Sequence, residues 1–405
     1  MIRADRFESI NAKIKNKHIV YIASQLYSFG EITEQIWLLK NLFYKHPITI
    51  ITFPLQKLRV NKALFNIVTR GINIVHTTDY DLVWFSHDKK GSLTFDSENL
   101  YINSSKKSII RQFSNTFQHS KPHFFFSLSQ LDHKRGVSIK EQYNIPQDAK
   151  IVTLHIREPN YRRSFNVEED ASGPFRNADP ANYISAIKYL ISKNYFVVRI
   201  GDKYMTRLNI NSSNYIETPF NKFYSDIVDI YFIAVSTFFL CSASGPINIA
   251  ESFGVPFLAT NFWPYHQLRC WSNDMFLFKK YFSKQLQREL SYEEILSSPA
   301  LYFCDINHSN KYDFEIIENT SSEILDYTKE MILRLENKAP HQDLISKLRN
   351  HFIKVQQKAL LIQQAKNPFD NHYIPMLFFV NRNNFPFSIQ YLKNNPSFLG
   401  HYWEE

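Results

Sequence analysis

The sequence predicts an α/β protein with two open, mainly parallel β-sheets, one in each half of the chain. Short apolar runs alternate with amphipathic stretches of helical length in both halves, which is the rhythm of repeated β-α-β units. Polar side chains directly follow several of these apolar runs, as they do where ligands bind parallel sheets. The chain has 405 residues, 44% of them hydrophobic, which is enough to build two domains and their cores.

The first half shows this rhythm most clearly up to residue 76. An apolar run at 18–23 is followed by a polar loop with Gly30 and then by apolar residues at helical spacing. Residues 86–150 are basic, aromatic and rich in turns, and no regular element is predicted there. The predicted elements of this half are strands at 18–23, 48–53, 72–76 and 83–85 and helices at 32–44 and 61–70.

The second half restarts the pattern after residue 150. A long polar loop at 157–178 leads to Asp179, a candidate N-cap for the next helix. Residues 285–365 are predicted to be helical, with a capping box in the segment 318–323. The other predicted elements are strands at 151–154, 196–200, 237–241 and 256–259 and helices at 180–193, 221–235 and 246–253.

These patterns divide the chain into three parts. Residues 1–145 are predicted to form one α/β domain, and residues 146–365 a second one that ends in added helices. The tail, residues 366–405, is rich in Asn, Pro and Phe and is predicted to pack back across the domains.

The positive charge of the chain is concentrated in its first part. The net charge is +9; residues 1–150 hold 21 Lys and Arg against 12 Asp and Glu, whereas the remainder holds 26 of each. Such a part can face nucleic acid, an anionic membrane or an acidic glycan, or simply be soluble. Nucleic acid is disfavoured because no arginine-rich tract, zinc spacing or RNA-binding signature is present. The basic doublets are Lys89/Lys90, Lys106/Lys107 and Lys134/Arg135.

The cysteines and the apolar segments indicate in which cellular compartment the protein is expected. Three cysteines form neither a metal-binding nor a disulfide spacing, which fits a reducing environment. The first residues carry no apolar segment of the kind found in signal peptides. The longest apolar run, from Ile230 to Cys241, is too short to span a bilayer. A cytoplasmic protein is therefore expected, with peripheral contact to the inner membrane left open.

Three groups of polar residues follow predicted strands of the second half. Because the carboxyl ends of parallel strands meet at one edge of a sheet, these groups are expected to share a crevice. A guanidinium and small hydroxyls near a helix N-terminus suit a phosphate or a diphosphate, which points to a nucleotide sugar. The groups are His155, Arg157 and Glu158; Arg199, Gly201 and Asp202; and Ser242, Ser244 and Gly245.

Arg157, His155 and Glu158 are the candidates for catalysis. The fork of Arg157 can hold a diphosphate through two hydrogen bonds and stabilise the charge of a departing nucleotide. The alternative is a structural arginine paired with Glu158 or Asp202. His155 and Glu158 are candidates for the base that activates an acceptor hydroxyl. For His155, a hydrogen-bonded core histidine is the alternative.

The turn after residue 241 is the candidate phosphate cradle. Gly245 frees the backbone to approach an anion, and Pro246 suits the first turn of a helix. Ordinary helix capping by Ser244 is the alternative. Glu251 and Asn261, slightly further along the chain, are weaker candidates for contacts with ribose or sugar hydroxyls.

No metal or other cofactor is expected. Asp79-Tyr-Asp81 is a D-x-D triplet, which binds metal in one class of sugar transferases, but a single D-x-D is frequent by chance. It also lies in the first half, away from the other candidate residues. No Walker loop, G-x-G-x-x-G or G-x-S-x-G motif is present.

Several of these residues stand in an order that resembles a family of bacterial glycosyltransferases found with capsule and lipopolysaccharide biosynthesis genes. The pieces are H-x-R-E-P-x-Y at 155–161, V-x-R-I-G-D at 197–202 and D-I-Y-F-I-A-x-S-x-F-F-L-C-S-A-S-G-P at 229–246. The first is also similar to the H-x-R motif of fucosyltransferase-like GT-B enzymes, whose arginine meets the nucleotide diphosphate. Those enzymes often carry Asp three residues after the arginine, where this sequence has Asn160.

The resemblance implies two Rossmann-like domains in a GT-B-like arrangement with a helical C-terminal extension. It implies a metal-independent glycosyltransferase, moving a hexosyl or deoxyhexosyl group from a nucleotide sugar to a surface-polysaccharide or lipid-linked glycan. The second half would bind the donor, and the basic first half the acceptor. Two alternatives are a non-catalytic glycan- or nucleotide-binding protein and a nucleotide-sugar epimerase of similar two-domain build.

Overall fold

The structure of the protein is a computed structural model that covers most of the chain. The described residues are 17–23, 29–54, 60–79, 92–103, 122, 124–159, 173–270, 273–302, 314–338, 342–366, 379–380 and 385–400. Among them, no helix is both long enough and apolar enough to cross a membrane.

The first half forms a five-stranded sheet in the order β3-β2-β1-β5-β4. Four strands are parallel, and β4 pairs antiparallel with β5 in a hairpin. The central strand β1 is apolar, as the strand pattern at 18–23 predicts, and is buried between β2 and β5. The strands are β1 (His18–Ile22), β2 (Ile48–Thr52), β3 (Asn73–His76), β4 (Ser92–Phe95) and β5 (Asn99–Asn103).

Three helices belong to this half: α1 (Phe29–Leu42), α2 (Lys62–Val68) and α3 (Gln130–Gln142). The two predicted helices are confirmed, although α1 begins three residues earlier than expected. The β4–β5 hairpin and α3 were not predicted, because they lie in the basic, turn-rich segment that has no clear periodicity. The predicted strand at 83–85 lies outside the described residues.

The second half forms a six-stranded sheet, all parallel, in the order β12-β10-β9-β6-β7-β8. Its four predicted strands are confirmed within three residues at each end, and β7 agrees at both ends. These strands are nearly all apolar because helices cover both faces of such a sheet. The strands are β6 (Ile151–His155), β7 (Phe196–Ile200), β8 (Tyr215–Glu217), β9 (Phe238–Ser242), β10 (Phe257–Phe262) and β12 (Met275–Phe278).

The helices between these strands follow the prediction less closely. The helix predicted at 180–193 is a 3₁₀ turn at Pro180–Tyr183 that continues into an α-helix. Asp179 caps it as predicted, since its Oδ1 accepts a hydrogen bond from the Ala181 backbone at 2.9 Å. Of the helix predicted at 221–235, only the seven residues Val228–Ala234 are α-helical. The helices are α4 (Gly173–Arg176), α5 (Ile184–Ser192), α6 (Val228–Ala234) and α7 (Ile247–Ser252).

The all-helical prediction for 285–365 is wrong in its first part. A small antiparallel sheet in the order β14-β13-β15 begins just before this segment and extends into it, and α8 (Tyr292–Ser297) lies between β14 and β15 along the chain. Strands of two to four residues are too short to produce a detectable alternation. Thr320 and Glu323 form the predicted capping box. The elements are β13 (Lys280–Ser283), β14 (Arg288–Glu289), β15 (Phe314–Ile317), α9 (Ser321–Leu335) and α10 (Gln342–Lys366).

The described part of the tail packs on the second half. Its helix α11 (Ile389–Asn394) begins where Glu330 of α9 accepts a hydrogen bond from the Ile389 backbone at 2.8 Å. The Phe387 ring, fully buried, lies 5.5 Å from Tyr292 and 5.3 Å from Phe352 between ring centres. A separate two-stranded pairing joins β11 (Arg269–Cys270) to β16 (Phe379–Val380). The tail thus closes an aromatic cluster beneath α8 and α10.

The two large sheets meet through two glycines at the starts of α1 and α7. A Cβ atom on Gly245 would lie 2.9 Å from the Gly30 backbone nitrogen, and one on Gly30 would lie 3.0 Å from the Gly245 Cα. Asn248 reinforces the contact by donating a hydrogen bond to the Gly30 carbonyl at 2.9 Å. Because α1 follows β1 and α7 follows β9, the carboxyl ends of both sheets face each other here. Buried hydrophobic residues of both halves join in one cluster.

We predict that Gly245→Ala destabilises the protein by about 1–3 kcal/mol, because the methyl group would press on backbone atoms of Gly30 that have little room to move. The measurement is the midpoint of chemical unfolding. Ser244→Ala, one residue away on a half-exposed side chain, is the matched control and should leave the midpoint unchanged. Equal midpoints for the wild type and Gly245→Ala would contradict the close contact.

Candidate functional site

The end of β6 presents His155 and Arg157 at the carboxyl edge of the second sheet. These two residues are partly exposed, whereas Ile156 and Glu158 are buried. Exposed and buried side chains therefore alternate, as they do along an extended chain. The backbone N–H of Arg157 donates to the Ser242 hydroxyl at 2.7 Å, and its carbonyl accepts from the Ala178 backbone at 3.0 Å. Arg157 is therefore fixed between β9 and the segment that leads to α5.

His155 has an unusual environment for a histidine at a sheet edge. Burial lowers its pKa to about 3, and the positive charges of Arg157 and Arg199 act in the same direction. Part of the residue is exposed, yet its Nδ1 is shielded from solvent and has no hydrogen-bond partner among the described residues. The imidazole is therefore neutral at physiological pH.

Arg199 and Glu158 are joined in a buried ion pair. The Arg199 guanidinium, fully buried, lies 2.5 Å from a Glu158 oxygen and 2.8 Å from a Glu217 oxygen. The second Glu158 oxygen accepts from the Thr206 backbone at 2.8 Å, and Arg199 donates to the Thr206 carbonyl at 2.6 Å. Arg199 was predicted to bind the donor and Glu158 to act in catalysis. In the structure both side chains are buried in the interior.

The turn after β9 contains Ser242, Ser244 and Gly245. Ser242 is fully buried, and its hydroxyl is the acceptor for the Arg157 backbone. Ser244 is half-exposed and does not cap α7, which begins after Pro246 without a side-chain cap. The space that the missing Gly245 side chain leaves is filled by Gly30. Of the three, Ser244 is the one whose side chain reaches the surface of the edge.

Gly201 and Asp202 follow β7 at the same edge. Asp202 is half-buried, its carboxylate accepts from the Tyr204 backbone at 2.7 Å, and burial raises its pKa. A Cβ atom on Gly201 would lie 2.8 Å from the sulfur of Met205, the movable end of a side chain. The close approach at Gly201 is therefore local and does not require a ligand.

Asp229 was not selected from the sequence, although it opens one of the quoted motifs. Burial raises its pKa to about 7. Its two oxygens accept hydrogen bonds from the hydroxyls of Thr218 and Tyr224, each at 2.9 Å. The Tyr224 hydroxyl also lies 3.5 Å from the Gly201 carbonyl. Asp229 therefore organises the two loops that leave β7 and β8, which only the folded chain reveals.

The remaining candidates, Glu251 and Asn261, are both buried. Asn261 has a left-handed backbone (φ 47°), and its side-chain carbonyl accepts from the Asn319 backbone at 2.8 Å. Its amide nitrogen is 3.4 Å from the Tyr183 hydroxyl. The carboxamide thus links β10 to the start of α9. Contacts of Glu251 and Asn261 with sugar hydroxyls stay predictions.

Lys279 is a further buried cation that the sequence did not reveal. It follows β12, and its ammonium group donates to the Asn177 carbonyl at 2.6 Å and lies 3.4 Å from Glu318. Burial lowers its pKa. Glu318 also accepts from the Asp179 backbone at 3.0 Å. Lys279 and Glu318 together hold the segment that precedes α5 against the sheet edge.

The possible metal ligands are spread out. Asp79 is exposed just after β3, and its partner in the D-x-D triplet, Asp81, lies outside the described residues. Among the residues that the structure describes, no three His, Cys, Asp or Glu side chains are grouped to hold a metal ion.

Comparison with known proteins gives weak similarities only. No protein-family model matches the chain, and no curated protein does. Among solved structures, E. coli ADP-heptose LPS heptosyltransferase II is matched at 11% identity and a TM-score of 0.33, over 60% of this chain and 84% of that one. A family 9 glycosyl transferase from Veillonella parvula is matched at 13% and 0.37, over 60% and 80%. E. coli heptosyltransferase WaaC, with ADP-2-deoxy-2-fluoro heptose, is matched at 12% and 0.31, over 62% and 93%. Matches with TM-scores this low assign no function to the chain.

We predict that Glu158→Gln lowers the free energy of unfolding by about 1–3 kcal/mol, because it removes one charge from a buried pair but keeps its shape. Glu217→Gln is the matched control, since it touches the same guanidinium from β8. Both variants should keep turnover within about tenfold at a temperature where they are folded. A loss of about 100-fold or more in Glu158→Gln alone would instead identify Glu158 as the catalytic base.

Proposed function

We propose that the protein is a glycosyltransferase that moves a sugar from a nucleotide-sugar donor to a glycan or lipid-linked acceptor. The observation that carries the proposal is the unsatisfied Nδ1 of His155 beside Arg157, at the carboxyl edge of a parallel sheet. Ligands of such sheets bind at this edge. The contact between Gly30 and Gly245 brings the carboxyl ends of both sheets to the same crevice, which supports a GT-B-like arrangement of the two halves.

Arg157 is the group we assign to the leaving nucleotide. In the transfer, an acceptor hydroxyl attacks the anomeric carbon, and the bond from that carbon to the diphosphate oxygen breaks. The electron pair leaves with the diphosphate, and the hydroxyl proton passes to a base. A guanidinium at the diphosphate binds the charge that develops on it and makes the departure easier. The backbone bonds to Ser242 and Ala178 keep Arg157 in place.

His155 is the better placed of the two candidates for the base. Glu158 already has Arg199 and the Thr206 backbone as partners, whereas the Nδ1 of His155 has none within the part of the chain that the structure describes. A pKa of about 3 makes the imidazole a weak base while the crevice holds no anion. A bound diphosphate would offset the charge of Arg157 and raise this pKa, so donor binding itself would prepare His155 to accept a proton.

The proposal assigns the donor to the second half and the acceptor to the first. His155, Arg157, Asp202 and Ser244 support this choice, since all four lie at or just after the ends of strands of the second sheet and are partly exposed there. The first test is a thermal-shift screen with ADP, UDP, GDP, CMP and dTDP and their sugars. Release of nucleotide is then followed with and without a glycan acceptor. Binding without turnover would indicate a binding protein, and conversion without an acceptor an epimerase.

We predict that Arg157→Ala lowers kcat/KM by on the order of 100-fold or more while the protein stays folded, because one charge-assisted contact to the developing diphosphate is lost. The rate of nucleotide release is the measurement. Lys188→Ala, which removes a cation from the exposed face of α5, is the control and should be neutral. Near-normal turnover in Arg157→Ala would rule out its assigned role.

We predict that transfer continues in the presence of EDTA, because the Arg157 guanidinium is the proposed source of positive charge at the diphosphate. The initial rate is compared before and after dialysis against the chelator. Loss of activity that manganese or magnesium restores would contradict the metal-independent mechanism.

A further inference from the structure

Two loops beside the candidate site carry aromatic and basic side chains on their outer surface. One follows β7 and the other follows β8, and the Tyr224 hydroxyl, 3.5 Å from the Gly201 carbonyl, brings them together. We call their outer side the aromatic–basic surface. It consists of Lys203, Tyr204, Arg207, Lys222, Phe223 and Tyr224.

The aromatic side chains of this surface are unusually open to solvent. Tyr204 is 44% exposed, Phe223 40% and Tyr224 41%. Eleven large hydrophobic side chains are exposed among the described residues. Three of these eleven lie in the two loops. Grouped exposed apolar side chains mark contact surfaces more often than scattered ones do.

The cations of this surface are exposed and have no carboxylate partner among the described residues. The Lys203 ammonium lies 5.0 Å from the Tyr204 ring centre and the Lys222 ammonium 4.9 Å from that of Phe223. The Arg207 guanidinium lies 3.9 Å over the ring of Phe220 and joins the two loops. Among the carboxylates nearby, Glu217 is paired with Arg199, and Asp226 is exposed.

We propose that the aromatic–basic surface docks the protein on an anionic lipid membrane. Tyrosine and phenylalanine rings insert at the level of the lipid headgroups, and lysine and arginine attract anionic headgroups. Three cations are too few for tight binding along a nucleic acid, where affinity grows with the number of neutralised phosphates. Because the loops leave the carboxyl edge of the second sheet, docking would bring the candidate crevice close to the membrane.

The aromatic–basic surface lies in the second half, whereas the charge distribution of the sequence favoured the first half. Of the basic doublets, Lys134 and Arg135 lie exposed on α3, and the other two lie outside the described residues. Lys134 and Arg135 therefore offer a matched control: two exposed neighbouring cations on α3, outside the two loops. Membrane docking can be measured without a donor or an acceptor, so its test is separate from that of the proposed function.

The experiment is flotation of the full chain with phosphatidylcholine vesicles, with and without phosphatidylserine. We expect binding only to the anionic vesicles, weakened when salt rises from about 0.1 M to about 1 M and the Debye length falls from about 10 Å to about 3 Å. Lys203→Glu/Lys222→Glu should lower the partition coefficient about tenfold or more. Lys134→Glu/Arg135→Glu, with the same change in net charge, should retain more of the binding.

A second variant, Tyr204→Ser/Phe223→Ser, tests the aromatic contribution without changing the charge. It should lower the partition coefficient by about fivefold or more, while Tyr224 is kept because its hydroxyl binds Asp229. Unchanged melting midpoints show that each variant is folded. Absence of wild-type binding, greater loss in Lys134→Glu/Arg135→Glu than in the surface variants, or equally tight binding to single-stranded oligonucleotides would overturn the proposal.

Discussion

The buried guanidinium of Arg199 is the constraint on which the candidate site depends. It lies in β7 and binds Glu158 beyond the end of β6 and Glu217 in β8, so one cation ties three adjacent strand ends together. A buried charge is tolerable only when it is paired and its hydrogen bonds are satisfied. Since Glu158 must face inward to provide that pairing, the alternation of an extended chain turns Arg157 outward. The outward position of Arg157 thus follows from the ion pair of Arg199 with Glu158.

Four strands of the second sheet could be predicted because they are mainly apolar. The run at 196–200 becomes β7 with the same limits, and Asp179 caps the 3₁₀ turn that leads into α5, as expected. The roles of Arg157 and Arg199 could not be separated in the same way, because both follow apolar residues near a strand end. Arg199 differs from Arg157 because it is paired with Glu217. Glu217 is distant in sequence and becomes a neighbour of Arg199 only when β8 pairs with β7.

Gly245 is informative, but for a different reason from the one expected. It was expected to give a phosphate access to the backbone; in the structure the Gly30 backbone lies where a Gly245 side chain would be. No local pattern links residues 30 and 245, since their contact depends on how the two sheets face each other. The same contact brings the carboxyl ends of the two sheets to face each other, so the two glycines shape this edge through their own packing.

The net charge of each half does not show where the exposed cations of the proposed docking surface lie. The whole excess of +9 lies in residues 1–150, which favoured that half for contact with an anionic surface. Yet Lys203, Arg207 and Lys222 lie together in the half whose net charge is zero. A membrane senses charges within about a Debye length, roughly 10 Å, so the local arrangement outweighs the total of a domain. The pairing of β8 with β7 brings together the two loops that carry these cations and exposed rings.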